Sequence, residues 1–269
     1  MTGDGTVIVG ELMELRRTRN RRRFEAEDLP ADAAAAYAVA AQCVAQSERA
    51  VAAWKLGATT ATTRAIFATE TIYFGAIFAD EMWTAGQSSA HVPPPVFRAE
   101  AEIALRLRID IPSGQGRRLA AELGPKDIFD AWTPALEAPY SCIENIPGAG
   151  LVGLLSDRCA AGALFLGAAK GDVLDPAMDD DIAILIDGVE VCAAKASTAL
   201  LMSPVAAALG FLGVASDQGV AMERGQWIST GGITPCIDLP LDGRAIGLRF
   251  GGHDVFTLDL AAQPGLPAA

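Results

Sequence analysis

The sequence predicts an α+β protein. Three observations carry that prediction. An alanine-rich stretch over residues 32–53 has helical character, charged and apolar residues alternate through much of 97–110, and the second half breaks into short apolar runs separated by glycine and proline.

The elements follow in order. Asp32 is placed to cap a helix in which Tyr37, Val39, Val44 and Val51 supply bulk. Residues 53–57 are short and apolar around Lys55, as in a strand, and 61–70 suit a second helix. Pro93-Pro94-Pro95 is a rigid extended connector. The period of 2 over 97–110 predicts a strand with Glu100 and Glu102 on one face. A loop spans 111–116, and Asp127 to Trp132 is at most a short helix. Beyond Pro147, glycine-rich segments alternate with apolar runs as far as 169. Residues 182–193 read as a hairpin turning near Asp187-Gly188. Residues 196–216 carry no charge and are long enough to cross a bilayer, but Ser197, Thr198, Gly210 and Gly213 interrupt them. Ser203-Pro204 has the form of a cap followed by proline at the first helical position, so a buried helix over about 204–214 is expected and no membrane span. Short strands separated by glycines fill 225–260, which concentrates the strands in the second half. No repeat or composition break marks a linker, so residues 1–269 read as one domain.

Composition narrows the class. Among 269 residues 51% are hydrophobic and 20% charged, which excludes a disordered chain. With 21 Lys+Arg against 33 Asp+Glu the net charge is −12, so a nucleic-acid partner is not expected. Arg16, Arg17, Arg19, Arg21, Arg22 and Arg23 crowd one region, but Glu11, Glu14, Glu25, Glu27 and Asp28 flank them, which suits a solvated helix face better than an anion site. The five cysteines form no C-x-x-C pair and predict reduced, buried thiols in a cytoplasmic protein. The first twenty residues lack the basic start and apolar core of a signal peptide. His91 and His253 are the two histidines and no G-x-S-x-G occurs, which argues against serine-hydrolase chemistry.

Candidate chemistry is concentrated in a few places. Residues 148–153 match G-x-G-x-x-G, with Asp172 at the spacing of a ribose-binding acid. The preceding SCIENIP is a poor strand, so a plain glycine loop is the better reading. Glu100 and Glu102 converge on one strand face beside Ile103, Ala104 and Leu105. Partly buried like charges need a cation or a proton, and Mg²⁺ or Mn²⁺ suits such a pair; a solvated strand face is the bland alternative. Glu137, in the apolar PALEAP, is a third acid that could join them. Lys55 either snorkels to solvent or is buried with a lowered pKa suited to acid–base work. Thr59 and Thr60 beyond it offer donors to an anionic group.

These pieces occur in a telling order: Lys55-Leu56-Gly57-Ala58-Thr59-Thr60, Phe74-Gly75-Ala76-Ile77, Glu100-Ala101-Glu102-Ile103-Ala104, and Pro134-Ala135-Leu136-Glu137. Asp157 follows, then Gly162 to Gly167, Ser203-Pro204, and Gly225-Gln226-Trp227-Ile228-Ser229-Thr230-Gly231. Over about residues 35–260 the chain resembles the 2-keto-4-pentenoate hydratase and 4-oxalocrotonate decarboxylase branch of the fumarylacetoacetate hydrolase superfamily. The resemblance implies a mixed β-sandwich roll with peripheral helices, a mainly helical region over 1–52 and a catalytic β-roll over 53–269. It implies Mg²⁺ or Mn²⁺ held by Glu100, Glu102 and Glu137, with Lys55 moving protons and Asp157 also catalytic. Thr59, Thr60, Phe74, Gly75 and Thr230 would bind a small 2-keto acid. The implied reaction is hydration of a 2-hydroxydienoate or decarboxylation of an oxalocrotonate, in the catabolism of aromatic-type compounds, by a homo-oligomer. An acylpyruvate hydrolase or tautomerase, or a non-catalytic relative, is the alternative. Tyr140-Ser141-Cys142 stands where the family often has Asp-Ser-Arg, and Arg158 where it has Asn.

Overall fold

The computed structural model describes residues 5–86, 98–171, 178–239 and 243–259. His91, the triple proline and Asp172 lie outside them.

The chain opens with helices α1 (Gly5–Thr18) and α2 (Ala33–Ser47). Strand β1 (Val51–Gly57), helix α3 (Ala61–Phe67), β2 (Tyr73–Phe78) and β3 (Met82–Thr84) follow. Next come β4 (Arg98–Leu107), α4 (Gly116–Glu122), α5 (Pro125–Ile128), β5 (Phe129–Ala138), α6 (Ile146–Ser156) and β6 (Ala163–Leu166). A hairpin of β7 (Asp181–Ile186) and β8 (Val189–Lys195) leads to α7 (Ala196–Ala199) and α8 (Pro204–Asp217). Strands β9 (Trp227–Ser229), β10 (Ile237–Asp238), β11 (Ala245–Phe250) and β12 (His253–Asp259) complete the described chain.

Local chemistry sets several boundaries. The Asp32 carboxylate caps α2 by accepting from the Ala35 amide, and the Ser203 hydroxyl caps α8 by accepting from the Ala206 amide at 3.1 Å. Asp187 and Gly188 turn the β7–β8 hairpin with φ of 50° and 75°, the paired left-handed geometry that matches strand twist. No helix among the described residues is long and apolar enough to cross a membrane.

Two sheets carry the architecture, as an α+β roll. The larger runs β2-β1-β9-β4-β5-β6-β3, with β10 beside β4, and the smaller runs β12-β11-β7-β8. One face of the large sheet, including Trp54, Leu56, Phe74, Ile103, Leu136 and Phe165, packs with Phe211 and Leu212 of α8 and with Ile184 and Leu248 of the small sheet in the main core. The opposite face carries smaller residues, Ala53, Ala104, Ala131 and Ala135, beside Ile77 and Leu164.

Several expectations need correction. The helix expected over 32–53 ends at Ser47, and Val51 opens β1 instead of lending it bulk. Asp127 ends no helix at Trp132: α5 stops at Ile128, and Trp132 lies within β5, which pairs with β4. Tertiary pairing decided that segment. The G-x-G-x-x-G residues form no loop; they lie inside α6, which kinks at Gly150 where φ is 64°. A nucleotide fingerprint needs those glycines ahead of the helix. The strands are not concentrated in the second half, because β1 to β4 supply much of the large sheet. All five cysteines are free, but Cys192 and Cys236 are half-buried while Cys43, Cys142 and Cys159 are buried.

Candidate metal centre

Register places the chemistry. Glu100 lies opposite Glu137 across β4 and β5, and Glu102 lies opposite Ala135. Lys55 lies opposite Gly75 on β2 and Ser229 on β9, and Ser229 lies opposite Ala104. Directly paired residues share a sheet face, so Lys55, Ser229, Glu100, Glu102 and Glu137 all project to one side. In a flat sheet β1 and β5 would stand about 14 Å apart, three strand spacings. Here Lys55 Nζ reaches 3.1 Å from Glu137. The long side chains and the curl of the sheet close that gap. β9 ends at Ser229, and the chain beyond it stays beside β4, where the Thr230 and Ile233 amides donate to the Ile103 and Ala101 carbonyls.

The three carboxylates each offer an oxygen, and these oxygens lie within 4.8 Å of one another. Glu102 Oε2 accepts from Ser229 Oγ at 2.6 Å and from the Gly231 amide at 2.8 Å, while Glu102 Oε1 is buried without a hydrogen bond. Glu137 Oε2 accepts from Lys55 Nζ; Glu137 Oε1 lies equally close to that nitrogen but at an angle that makes no hydrogen bond. Two glycines let the loop after β9 approach. A Cβ on Gly232 would lie 2.3 Å from Glu100 Oε2, and one on Gly231, where φ is 108°, would lie 1.8 Å from Thr59 Oγ1. Three acids against one lysine leave two formal negative charges, and the unsatisfied oxygens are hard donors. This donor set fits a divalent cation that prefers oxygen.

The electrostatics agree. Burial pushes the Glu102 carboxyl well above the carboxylate range, and the charges of Glu100 and Glu137 push it further. Burial likewise pushes Glu137 up to about 7 against the opposing pull of Lys55. Burial pulls Lys55 down, but Glu137, Glu100 and Glu102 outweigh it and hold the ammonium above its ordinary value. A buried lysine with a lowered pKa was one expectation; the surrounding acids reverse the sign.

The remaining candidates occupy varied places. Thr59 is buried against Gly231 beside the centre. The Thr60 hydroxyl caps α3, accepting from the Thr63 amide at 3.2 Å. Thr230 Oγ1 donates to the Ile103 carbonyl at 2.7 Å. Phe74 lies on the other sheet face, stacked on Tyr37 and edge-on to Trp54 and Phe211. Gly75 must be glycine, because a Cβ would meet the Arg158 carbonyl oxygen at 1.8 Å.

Asp157 belongs to a separate buried network. Its Oδ2 accepts from Ser141 Oγ at 2.7 Å and the Cys142 amide at 2.8 Å, and its Oδ1 pairs with Arg16. Arg16 also donates to the Ala161, Tyr140 and Asp157 carbonyls. So Arg16 is no member of a solvated face, although Arg17, Arg22 and Arg23 do pair with the flanking Glu14, Glu11, Asp28 and Glu25. Removing Arg16 strands a buried carboxylate. Arg16→Ala should cost about 3–5 kcal/mol of stability in chemical denaturation, the penalty for breaking a buried pair. Arg158 is buried too. It donates to both Glu81 oxygens at 3.0 Å and to the Ala76 carbonyl at 2.8 Å.

Sequence reading missed Ser229 and Glu81. For Ser229 a signal existed: the period of 2 in Trp227-Ile228-Ser229 sets it on the face opposite Ile228. For Glu81 none did, since its partner lies 77 residues away.

No protein-family model matches the chain, and no curated protein matches it by sequence. Solved structures do match. The 4-oxalocrotonate decarboxylase from Pseudomonas putida G7, complexed with magnesium and adipate, superimposes with a TM-score of 0.78 at 17% identity, over 94% of this chain and 95% of that one. Its complex with calcium and acetate gives 0.77 at the same identity and coverage. Fumarylpyruvate hydrolase from Pseudomonas aeruginosa, in complex with Mn²⁺ and pyruvate, gives 0.51 at 12% identity, over 78% of this chain and 89% of that one. The chain therefore has the fold that its sequence resemblance implied.

Proposed function

We propose that the protein is a metal-dependent lyase acting on 2-keto acids, by hydration of a 2-hydroxydienoate or decarboxylation of an oxalocrotonate. One observation carries this reading: three carboxylates, two of them fully buried with an unsatisfied oxygen each, converge beside a buried charged lysine. The structural neighbours crystallised with magnesium, calcium and Mn²⁺ support it.

Glu100, Glu102 and Glu137 would hold Mg²⁺ or Mn²⁺. Such an ion supplies Lewis-acid stabilisation for negative charge developing on the substrate's keto oxygen. The chain's own groups do the rest. Ser229 and the Gly231 amide fix Glu102 so that one of its oxygens stays free. Lys55 carries a proton on Nζ, 3.1 Å from Glu137, and serves as the donor to the substrate carbon that becomes electron-rich. Thr59 Oγ1, pressed against Gly231, adds a hydroxyl at the rim. The alanine floor formed by Ala104 and Ala135 is fully buried and excludes water from beneath. Both reactions draw on the same charge stabilisation.

A mass-resolved assay tests the reading. Purified protein with Mg²⁺ meets 2-hydroxypentadienoate, an oxalocrotonate and an acylpyruvate, with and without EDTA. An EDTA-sensitive gain of water or loss of carbon dioxide is expected. Scission into two acids would identify a hydrolase instead, and no turnover at all would refute the catalytic reading.

A further inference from the structure

Tyr73 opens β2 on the same sheet face as Lys55. Lys55 pairs with Gly75 and Gly57 with Tyr73, and side chains two apart on a strand share a face. The strand order then ranks the groups across that face. The carboxylates come from β4 and β5, Lys55 from β1 beyond β9, and Tyr73 from β2 beyond β1. Gly57 makes room for the phenol: a Cβ there would lie 1.9 Å from the Tyr73 ring and 2.6 Å from its hydroxyl oxygen. Phe67 meets the ring edge-on at 5.7 Å. Burial above all keeps the phenol protonated, and it lies within the fields of Lys55 and Glu100. A protonated phenol keeps one hydroxyl proton to donate. The mechanism above does not use this group.

We propose that the Tyr73 hydroxyl donates a hydrogen bond to an oxygen at the distal end of the substrate, and so selects 2-keto acids bearing a second oxygenated group. This rests on the keto-acid reading of the site. A substrate whose keto-acid head sits at the three carboxylates and whose tail runs past Lys55 arrives at β2. A hydrocarbon tail leaves the buried hydroxyl without an acceptor; a carboxylate or keto oxygen satisfies it.

The test compares wild type with Tyr73→Phe, in Mg²⁺, on oxalocrotonate (distal carboxylate), an acylpyruvate (4-oxo group) and 2-hydroxypentadienoate (hydrocarbon end). Loss of the hydroxyl should lower kcat/KM by on the order of 10- to 100-fold on whichever oxygenated substrate it contacts, and by no more than about twofold on the pentadienoate. Which of the two oxygenated substrates responds identifies the oxygen bound. Mn²⁺ affinity by calorimetry should not change. Gly57→Ala, which displaces the ring without deleting the hydroxyl, should give the same selective pattern. Equal loss on all substrates, no loss on any, or a wild-type preference for the hydrocarbon end overturns the proposal while leaving the lyase reading standing. A wild type that turns over none of the three sinks the keto-acid reading, and the role of Tyr73 with it; one that only splits the acylpyruvate replaces the lyase by a hydrolase and leaves the test of Tyr73 in force.

Discussion

Glu102→Gln should abolish tight binding of Mg²⁺ and Mn²⁺ and, at the same time, raise the melting temperature of the metal-free protein. Glu102 is fully buried, with one oxygen satisfied by Ser229 and Gly231 and the other unsatisfied. Gln keeps an acceptor for Ser229 and the Gly231 amide but removes a charge that burial and two neighbouring carboxylates oppose. Above the pH at which Glu102 ionises, the metal-free variant is spared like-charge repulsion; with metal it loses a ligand. A fall in affinity of 100-fold or more by calorimetry is expected, with turnover lost in parallel. Unchanged metal affinity would remove Glu102 from the centre.

The same geometry fixes a pH dependence. A carboxyl whose folded pKa stands above its unfolded value favours the native state while protonated. Its contribution is complete below the ordinary carboxylate range and disappears as pH rises through the folded value, about 7 for Glu137. In EDTA, thermal stability should therefore decline between about pH 5 and pH 8. Metal affinity should climb over that interval, because the ion displaces the proton.

Lys55→Met should also cut turnover severely but have the opposite effect on the metal. The lysine pairs with Glu137 at 3.1 Å, so it competes with a cation for that carboxylate. Its removal should leave Mn²⁺ affinity equal or tighter by calorimetry. If Lys55 delivers the proton, kcat should fall by roughly 10²- to 10⁴-fold, the usual span for general acid–base catalysis. A variant with more than about a tenth of wild-type kcat would exclude Lys55 from proton transfer. Tight metal binding with lost turnover would separate its role from that of the three acids.

Local signals accounted for much of the fold. Asp32 and Ser203 were legible as caps because capping depends on a side chain and an amide three residues on. Asp187-Gly188 was legible as a turn because both positions need left-handed backbone. Glu100 and Glu102 were legible as a pair because a strand has period 2. The reading failed where distant partners decide. Trp132 joined a strand because β4 was there to pair with it, and the glycines at 148–153 joined a helix that kinks rather than breaks. Arg16 looked solvated among its arginine neighbours, yet Asp157, 141 positions along, draws it inward.

Residue order alone supplied the ingredients: two acids at strand spacing, a third in an apolar run, and a lysine among hydrophobics. Their meeting depends on long-range strand pairing. Glu100 faces Glu137 through the β4–β5 register, and Lys55 reaches Glu137 across two intervening strands because the sheet curls. Register and curvature arise from pairing between segments far apart in the chain. A pattern of period 2 gives the face of a residue, but not the strand it will stand beside.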